Sequence, residues 1–275
     1  MPPELQNKLQ TLQNFLRKRE SVAVAFSGGV DSTFLLKVAH DVLGEKAIAI
    51  TAMSEFFTER ERLETESFCT KEKIRQIFYP FKALHVEGVA TNPKNRCYLC
   101  KRHLFSEFQR IAASNFLSAV CEGSNVDDLQ DFRPGLKAIE ELRIESPLRE
   151  AKLSQKDIRE LSKELGLSTW NKPSFACLAS RFVYGERITE RRLEMVSSTE
   201  QFLFQLGFKQ YRVRIHGSDG NELARIEVLP EDFEKLFQHK AAILRECKQA
   251  GFAYVSLDLE GFRSGSMNVE NSFST

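Results

Sequence analysis

The chain has 275 residues, 42% hydrophobic and 28% charged, which is enough to bury a core in one large domain or two modest ones. Its 39 basic and 38 acidic side chains nearly cancel, so no global field attracts nucleic acid or an acidic membrane surface. There is no apolar run of about 18 residues, the start Met1 to Gln6 lacks a basic region followed by an apolar run, and six cysteines in a chain this long read better as thiols, metal ligands or catalytic groups than as a disulfide framework; a reducing, cytoplasmic setting is expected.

Leu5, Leu9, Leu12, Phe15 and Leu16 recur at helical spacing and predict an N-terminal amphipathic helix. Val22 to Phe26 is a continuous apolar run of the kind buried on both faces of a parallel sheet. Phe34, Leu35, Val38, Ala39 and Val42 then mark a helix closed by Gly44, and Ala47 to Ala52 a second strand, completing a βαβ unit. A polar helix near Thr58 to Lys71, a strand at Ile74 to Tyr79, a helix after Cys100 and a strand at Ala119 to Cys121 continue the alternation. Ser154 and Asp157 form a capping-box pattern opening a helix that Gly166 is placed to close.

Beyond a connection from Pro173 to Gly185 the pattern changes. A helix near Thr189 to Leu206 leads to strands at Tyr211 to His216 and Leu223 to Leu229, a helix from about Glu231 and a strand at Ala253 to Leu259. The expected fold is α/β: a doubly wound, mostly parallel sheet over residues 1–185, followed by a smaller α+β domain over 186–275. The polar tail after Met267 is expected to be loose.

Ser27-Gly28-Gly29-Val30-Asp31-Ser32 lies between the first strand and the first sheet-covering helix, where exposed N–H groups and the helix dipole favour a phosphate. The glycines permit close approach of the backbone, and Ser27 and Ser32 add hydroxyl donors. Asp31 cannot face a phosphate; it either caps the helix or reaches a bridging magnesium ion. No lysine follows, unlike a Walker A loop, so γ-phosphate transfer is disfavoured. A plain glycine-rich turn remains the alternative for Ser-Gly-Gly alone.

The whole hexapeptide resembles the SGGxDS signature of the PP-loop ATP pyrophosphatases, which split ATP between its α and β phosphates. Glu122-Gly123-Ser124-Asn125, Asp131 to Ala138, Ser146-Pro147-Leu148, Pro173 to Arg181, Arg212-Val213-Arg214, Ala224 to Glu227 and Leu257 to Gly265 match in order. Together they resemble the LarE family, sulfur transferases that build the nickel-pincer nucleotide cofactor of lactate racemase. The resemblance implies an adenine nucleotide alpha hydrolase-like fold. It also implies ATP and Mg2+ as cofactors, and adenylation of a carboxylate on a pyridinium mononucleotide with release of pyrophosphate, followed by thiocarboxylate formation. Cys177 matches the family's sulfur-handling cysteine; an acyl-adenylate loses AMP readily to a sulfur nucleophile, whereas a carboxylate has no good leaving group.

Some members of that family sacrifice the sulfur of this cysteine and become dehydroalanine. Here Cys97 and Cys100 add a Cys-Tyr-Leu-Cys pair, read as a loop running into a helix. With Cys177 they make three thiolate ligands for a 4Fe-4S cluster, whose open iron would hold a reusable sulfide. A zinc site completed by His85 or His103, or two unconnected thiols, are the alternatives. Cys69, Cys121 and Cys247 lie in apolar or helical patterns and read as buried small hydrophobes.

Arg212 and Arg214 alternate with apolar residues and leave one strand face together. With Arg181 they match family positions contacting the substrate phosphate, against the alternative of a solvated strand face. Glu200, Glu227 and Asp232 match positions lining a divalent-metal site; surface salt bridges explain them as well. The resemblance further implies a homo-oligomer acting on a small-molecule nucleotide, with Phe202-Leu203-Phe204 as interface or core. Competing readings are a PP-loop tRNA thiolase, which balanced charge disfavours, an amidating ligase, which has no need of the three cysteines, and an ATP-binding module without catalysis.

Overall fold

The structure, a computed structural model, describes residues 1–130, 134–173, 176–218, 220–263 and 267. It divides into two compact units, residues 1–89 with 95–175 and residues 90–94 with 176–275.

In the first unit α1 (Pro3–Arg19), β1 (Val22–Ala25), α2 (Val30–Leu43), β2 (Ala47–Met53), α3 (Glu59–Glu72), β3 (Gln76–Pro80), α4 (Arg96–Ser114) and β4 (Ala119–Cys121) follow in order. They are succeeded by the helices α5 (Gly135–Glu141), α6 (Pro147–Glu150) and α7 (Gln155–Glu164). The strands form one parallel sheet in the order β3-β2-β1-β4, with Val22 opposite both Ala47 and Ala119.

Helices sandwich this sheet because its strands are apolar on both faces. Val22, Val24, Ala47 and Ala49 pack with Leu12 and Leu16 of α1, Phe34, Leu35 and Val38 of α2 and Ile158 and Leu161 of α7. The alternate residues, Ala23, Ile48 and Ile50, pack with Phe105, Phe108 and Ala112 of α4 and Ile139 of α5. The predicted capping box is present: Ser154 Oγ accepts from the Asp157 N–H at 3.2 Å, and Asp157 accepts from the Ser154 N–H at 3.0 Å. A second one, at Thr58 and Glu61, starts α3.

The chain leaves β1 for β2 on one side, whereas β4, its neighbour on the other side, is reached from β3, so the strand order reverses between β1 and β4, the kind of position where open parallel sheets bind ligands at their carboxyl ends. The loop Ser27–Gly29 lies at that end.

The second unit contains α8 (Glu190–Gln205), β5 (Tyr211–His216), β6 (Leu223–Val228), α9 (Phe233–Gln238), α10 (Lys240–Ala250) and β7 (Tyr254–Leu257). β5 and β6 are antiparallel, and β7 joins β6 in parallel because α9 and α10 form the crossover between them. The single helix expected from Glu231 is two helices broken at His239. Tyr211, Val213 and Ile215 are buried on one face of β5, and α8 packs against that strand. In the Phe-rich stretch Leu203 is wholly buried while Phe204 is 45% exposed.

Candidate active site

In the first unit the hexapeptide forms a candidate anion cradle. Gly28 has φ +71°, a conformation that opens the tight turn; a Cβ there would lie 3.0 Å from Thr65 Cγ2. Gly29 is the N-cap of α2, so neither Asp31 nor any other side chain caps this helix. The N–H groups of Gly28, Gly29, Val30 and Ser32 donate to no protein acceptor among the described residues, whereas the Thr33 N–H already closes on the Gly29 carbonyl. Four donors at a helix start with its dipole behind them are what a phosphate requires. Ser27 Oγ and Ser32 Oγ stand 3.2 Å apart, and Ser32 Oγ lies 3.3 Å from the Gly29 carbonyl.

Other segments hold this cradle from behind. Gly123 packs so closely that an added Cβ would lie 3.1 Å from the Ser32 nitrogen and 3.4 Å from two Asp31 atoms. Glu122, buried, accepts from the Ser124 N–H, the Ser124 hydroxyl and the Ser146 hydroxyl, tying the Glu122–Asn125 and Ser146–Leu148 motifs together. Asn125 Nδ2 reaches Asp31 at 3.3 Å and Gln155 Nε2 at 3.4 Å. Burial pushes the Asp31 carboxyl above its usual range, with the Asn125 hydrogen bond opposing. Such a carboxylate, met by the main-chain N–H of its own residue and by long amide contacts, keeps oxygen lone pairs to offer a hard cation.

Cys97 and Cys100 lie within the first turns of α4, not in a loop before it, and three-residue spacing puts them on one side of the helix. Both are half-buried, and Arg96 Nη2 is 3.7 Å from Cys97 Sγ. Within this unit neither His85 nor His103 joins them in a group of three metal-ligating side chains among the described residues; His103 stacks on Phe81 at 5.9 Å. Cys69, Cys121 and Cys247 are buried, and desolvation raises all three thiols, Cys69 to about 12 and Cys247 to about 11. They are protonated and inert at neutral pH.

The second unit carries Cys177, exposed, at the N-terminal end of the 3-10 turn Leu178–Arg181. Arg181, although 1% exposed, is held in a forked ion pair with Glu200 at 2.8 and 2.9 Å. It also donates to the Ala176 carbonyl at 2.8 Å and to Ser180 Oγ at 2.9 Å. Glu200 accepts in addition from the Val213 N–H on the edge of β5. Arg214 pairs with Glu227 and donates to the Ser180 carbonyl at 2.7 Å. Two buried guanidiniums therefore pin the peptide that presents the Cys177 thiol.

Arg212 differs from its two neighbours. It is 7% exposed and stacks on Phe262 at 4.7 Å; its Nε is buried without a hydrogen bond, and no carboxylate lies within ion-pair distance among the described residues. Desolvation, then repulsion from Arg181 and Arg214, lowers it to about 10. The structure thus joins Arg181, Arg212, Arg214, Glu200 and Glu227 in one buried cluster, whose rim adds Arg225, 3.2 Å from Glu227 and itself paired with Asp258, so that four cations face three anions. Within this unit no three His, Cys, Asp or Glu side chains among the described residues are grouped to hold a metal ion; Asp232 stands half-buried before α9. Parts of the matched motifs, Asp131 to Arg133, Ser174 and Phe175, Ser264 and Gly265, lie outside the described residues, as does the tail from residue 268.

Three contributors went unread in the sequence. Gln155 reaches Asp31, Arg159 donates to the Trp170 and Lys172 carbonyls, and Lys172 Nζ donates to the Gly28 carbonyl at 2.9 Å. Lys172 lies 144 residues from Gly28 in a segment without periodicity, so nothing local signals it.

A parallel α/β unit with a glycine-rich turn between its first strand and the helix that follows, and a second unit with a small mixed sheet that displays a thiol beside buried arginines, define the class as an α/β protein. No family model matches the chain. It is 38% identical over 265 residues to the pyridinium-3,5-bisthiocarboxylic acid mononucleotide synthase of Lactiplantibacillus plantarum, covering 96% of this chain and 95% of that one. Uncharacterised proteins of Synechocystis, 40% identical over 96% of this chain and 98% of theirs, and of Methanocaldococcus jannaschii, 30% identical over 94% and 98%, are similar along their whole length. The chain belongs to the family of this synthase, the LarE family. Among the described residues no helix is long and apolar enough to cross a membrane.

Proposed function

We propose that the chain is an ATP-dependent sulfurtransferase that adenylates a carboxylate of pyridinium-3,5-biscarboxylic acid mononucleotide and replaces its activated oxygen by sulfur. The observation carrying this reading is the set of unengaged N–H groups of Gly28, Gly29, Val30 and Ser32 in a chain related to a bisthiocarboxylate synthase. In the reaction a substrate carboxylate oxygen attacks the α-phosphorus of ATP, and the bond to the β-phosphoryl oxygen breaks. Pyrophosphate, released on the cradle, leaves with the charge that the N–H groups and helix dipole stabilise. A sulfur nucleophile then attacks the acyl carbon and AMP departs. Arg212 offers its unmatched charge to the substrate's phosphate, while Arg181 and Arg214 keep the Cys177 peptide in place.

Asp31 would hold Mg2+, which neutralises phosphate charge when bound. The sulfur is that of Cys177, whose Cβ–S bond then breaks to leave dehydroalanine as the α-proton is lost, or a sulfide on a 4Fe-4S cluster that Cys97, Cys100 and Cys177 would ligate. A homo-oligomer is the proposed assembly, measured by light scattering.

The deciding experiment incubates the purified chain with ATP, Mg2+ and the dicarboxylate mononucleotide. Equal amounts of pyrophosphate and AMP with a thiocarboxylate product support the proposal; no pyrophosphate leaves a nucleotide-binding module without catalysis. Iron and acid-labile sulfide in anaerobic protein, compared with Cys97→Ala, separate the sulfur sources. About four irons lost in the variant mark the cluster, and iron-free active protein marks Cys177.

A further inference from the structure

The phosphate cradle contains no lysine of its own, yet one is delivered to it from another part of the first unit. Lys172 Nζ donates to the Gly28 carbonyl at 2.9 Å and pairs with Glu64 at 2.5 Å. A trans peptide points its C=O and N–H in opposite directions. Fastening the Gly28 carbonyl from one side therefore aims the Gly29 N–H out of the other, and that N–H is one of the donors without a protein acceptor. At φ +71° Gly28 has no side chain to restrict this peptide, so its orientation depends on what grips the carbonyl.

The lysine is itself anchored. Arg159 Nη2 donates to the Lys172 carbonyl at 2.9 Å and Nη1 to the Trp170 carbonyl at 2.8 Å, fixing the main chain from which the side chain reaches the loop. Arg159 belongs to α7, whose first residue, Gln155, touches Asp31, so one helix steadies the loop from two directions. Glu64 also lies 3.7 Å from Arg60, so its charge stays compensated if Lys172 shifts towards an anion.

We infer that Lys172 is the positioning residue of the phosphate loop: it sets the Gly28–Gly29 peptide with the Gly29 N–H facing the pyrophosphoryl group and supplies the positive charge that the hexapeptide lacks. This rests on the reading of Ser27–Ser32 as a phosphate site. The test is calorimetric binding of inorganic pyrophosphate to the full chain, with thermal unfolding measured on the same samples. Lys172→Met is expected to weaken pyrophosphate binding about tenfold, the loss of a charge-assisted hydrogen bond, and Lys172→Arg to restore most of it. Glu64→Gln, which releases the lysine from its carboxylate, is expected to tighten binding about threefold.

Wild type that binds no pyrophosphate overturns the phosphate-site reading and this inference with it. Wild type that binds, with Lys172→Met binding equally well or losing only thermal stability, overturns the inference alone and leaves a brace. If Lys172→Met does not fold, Glu64→Gln decides: unchanged affinity refutes the charge, and tighter binding supports it.

Discussion

Glu200→Gln is the substitution that most directly tests how the Cys177 peptide is held. The carboxylate accepts from Arg181 Nε and Nη2 and from the Val213 N–H, and the side chains of the pair are only 2% and 10% exposed. Glutamine retains one oxygen for Val213 but turns an NH2 group against the guanidinium, so a buried cation meets a donor instead of an anion. Breaking one partner of a buried ion pair costs about 3–5 kcal/mol, because the remaining charge is stranded rather than because the pair is worth that much. A loss of about 3 kcal/mol is expected here, since Arg181 keeps the Ala176 carbonyl and Ser180 Oγ. The assay is urea unfolding of wild type, Glu200→Gln, Arg181→Met and the double variant, followed through midpoint and slope. If the stranded charge is the cause, the double variant is more stable than the sum of the single losses allows, by about 2 kcal/mol or more. Additive losses, or a Glu200→Gln loss below about 1 kcal/mol, would show that the pair behaves as an exposed one and would refute the reasoning.

Three further outcomes follow from other parts of the structure. Gly123→Ala drives a methyl group against the first turn of α2, at 3.1 Å from the Ser32 nitrogen; a rise in KM for ATP with about 1–3 kcal/mol of lost stability is expected from steady-state kinetics and unfolding. Burial holds Asp31 above its ordinary 3.8, so in the folded chain its charge is a cost that grows as pH rises through that window. Asp31→Asn should therefore raise the melting temperature at neutral pH while lowering pyrophosphate release, and a variant less stable than wild type would contradict this. His216 lies below its ordinary 6.5, through burial first and then Arg225, with Glu186, Arg214 and Glu227 as its other charged neighbours. The unfolded chain takes up that proton first, so this part of the stability is present above about pH 6.5 and drains away on acidification. His216→Gln should flatten that portion of the unfolding free energy plotted against pH.

What could be read from the sequence was local, and what could not was a matter of which distant groups meet. The hexapeptide is contiguous, so its two glycines, its serines and its place between strand and helix are visible in one window, and the structure puts the turn and the unengaged N–H groups there. Ser154 with Asp157 was legible for the same reason. Cys97 and Cys100 read as a loop in the sequence because helix starts lacking a capping side chain leave little trace, and Asn95 makes no side-chain cap. Lys172, 144 residues from the carbonyl it grips, left no trace at all.

The arginine cluster lies between these extremes. Alternation along β5 puts Arg212 and Arg214 on one face, yet the partner of each is set by side chains from elsewhere. The acids that suit a divalent metal suit a guanidinium equally well, and in this fold Glu200 and Glu227 meet Arg181 and Arg214. Glu200 and Glu227, with Asp258 behind Arg225, are taken up by Arg181, Arg214 and Arg225, so the desolvation of Arg212 is not repaid within the protein and Arg212 is pushed down to about 10. Burying such a charge is unfavourable to folding unless something binds it. An anion bound beside Arg212, as proposed for the substrate's phosphate, would recover that cost, so the residue that weakens the protein alone would strengthen its hold on such a ligand.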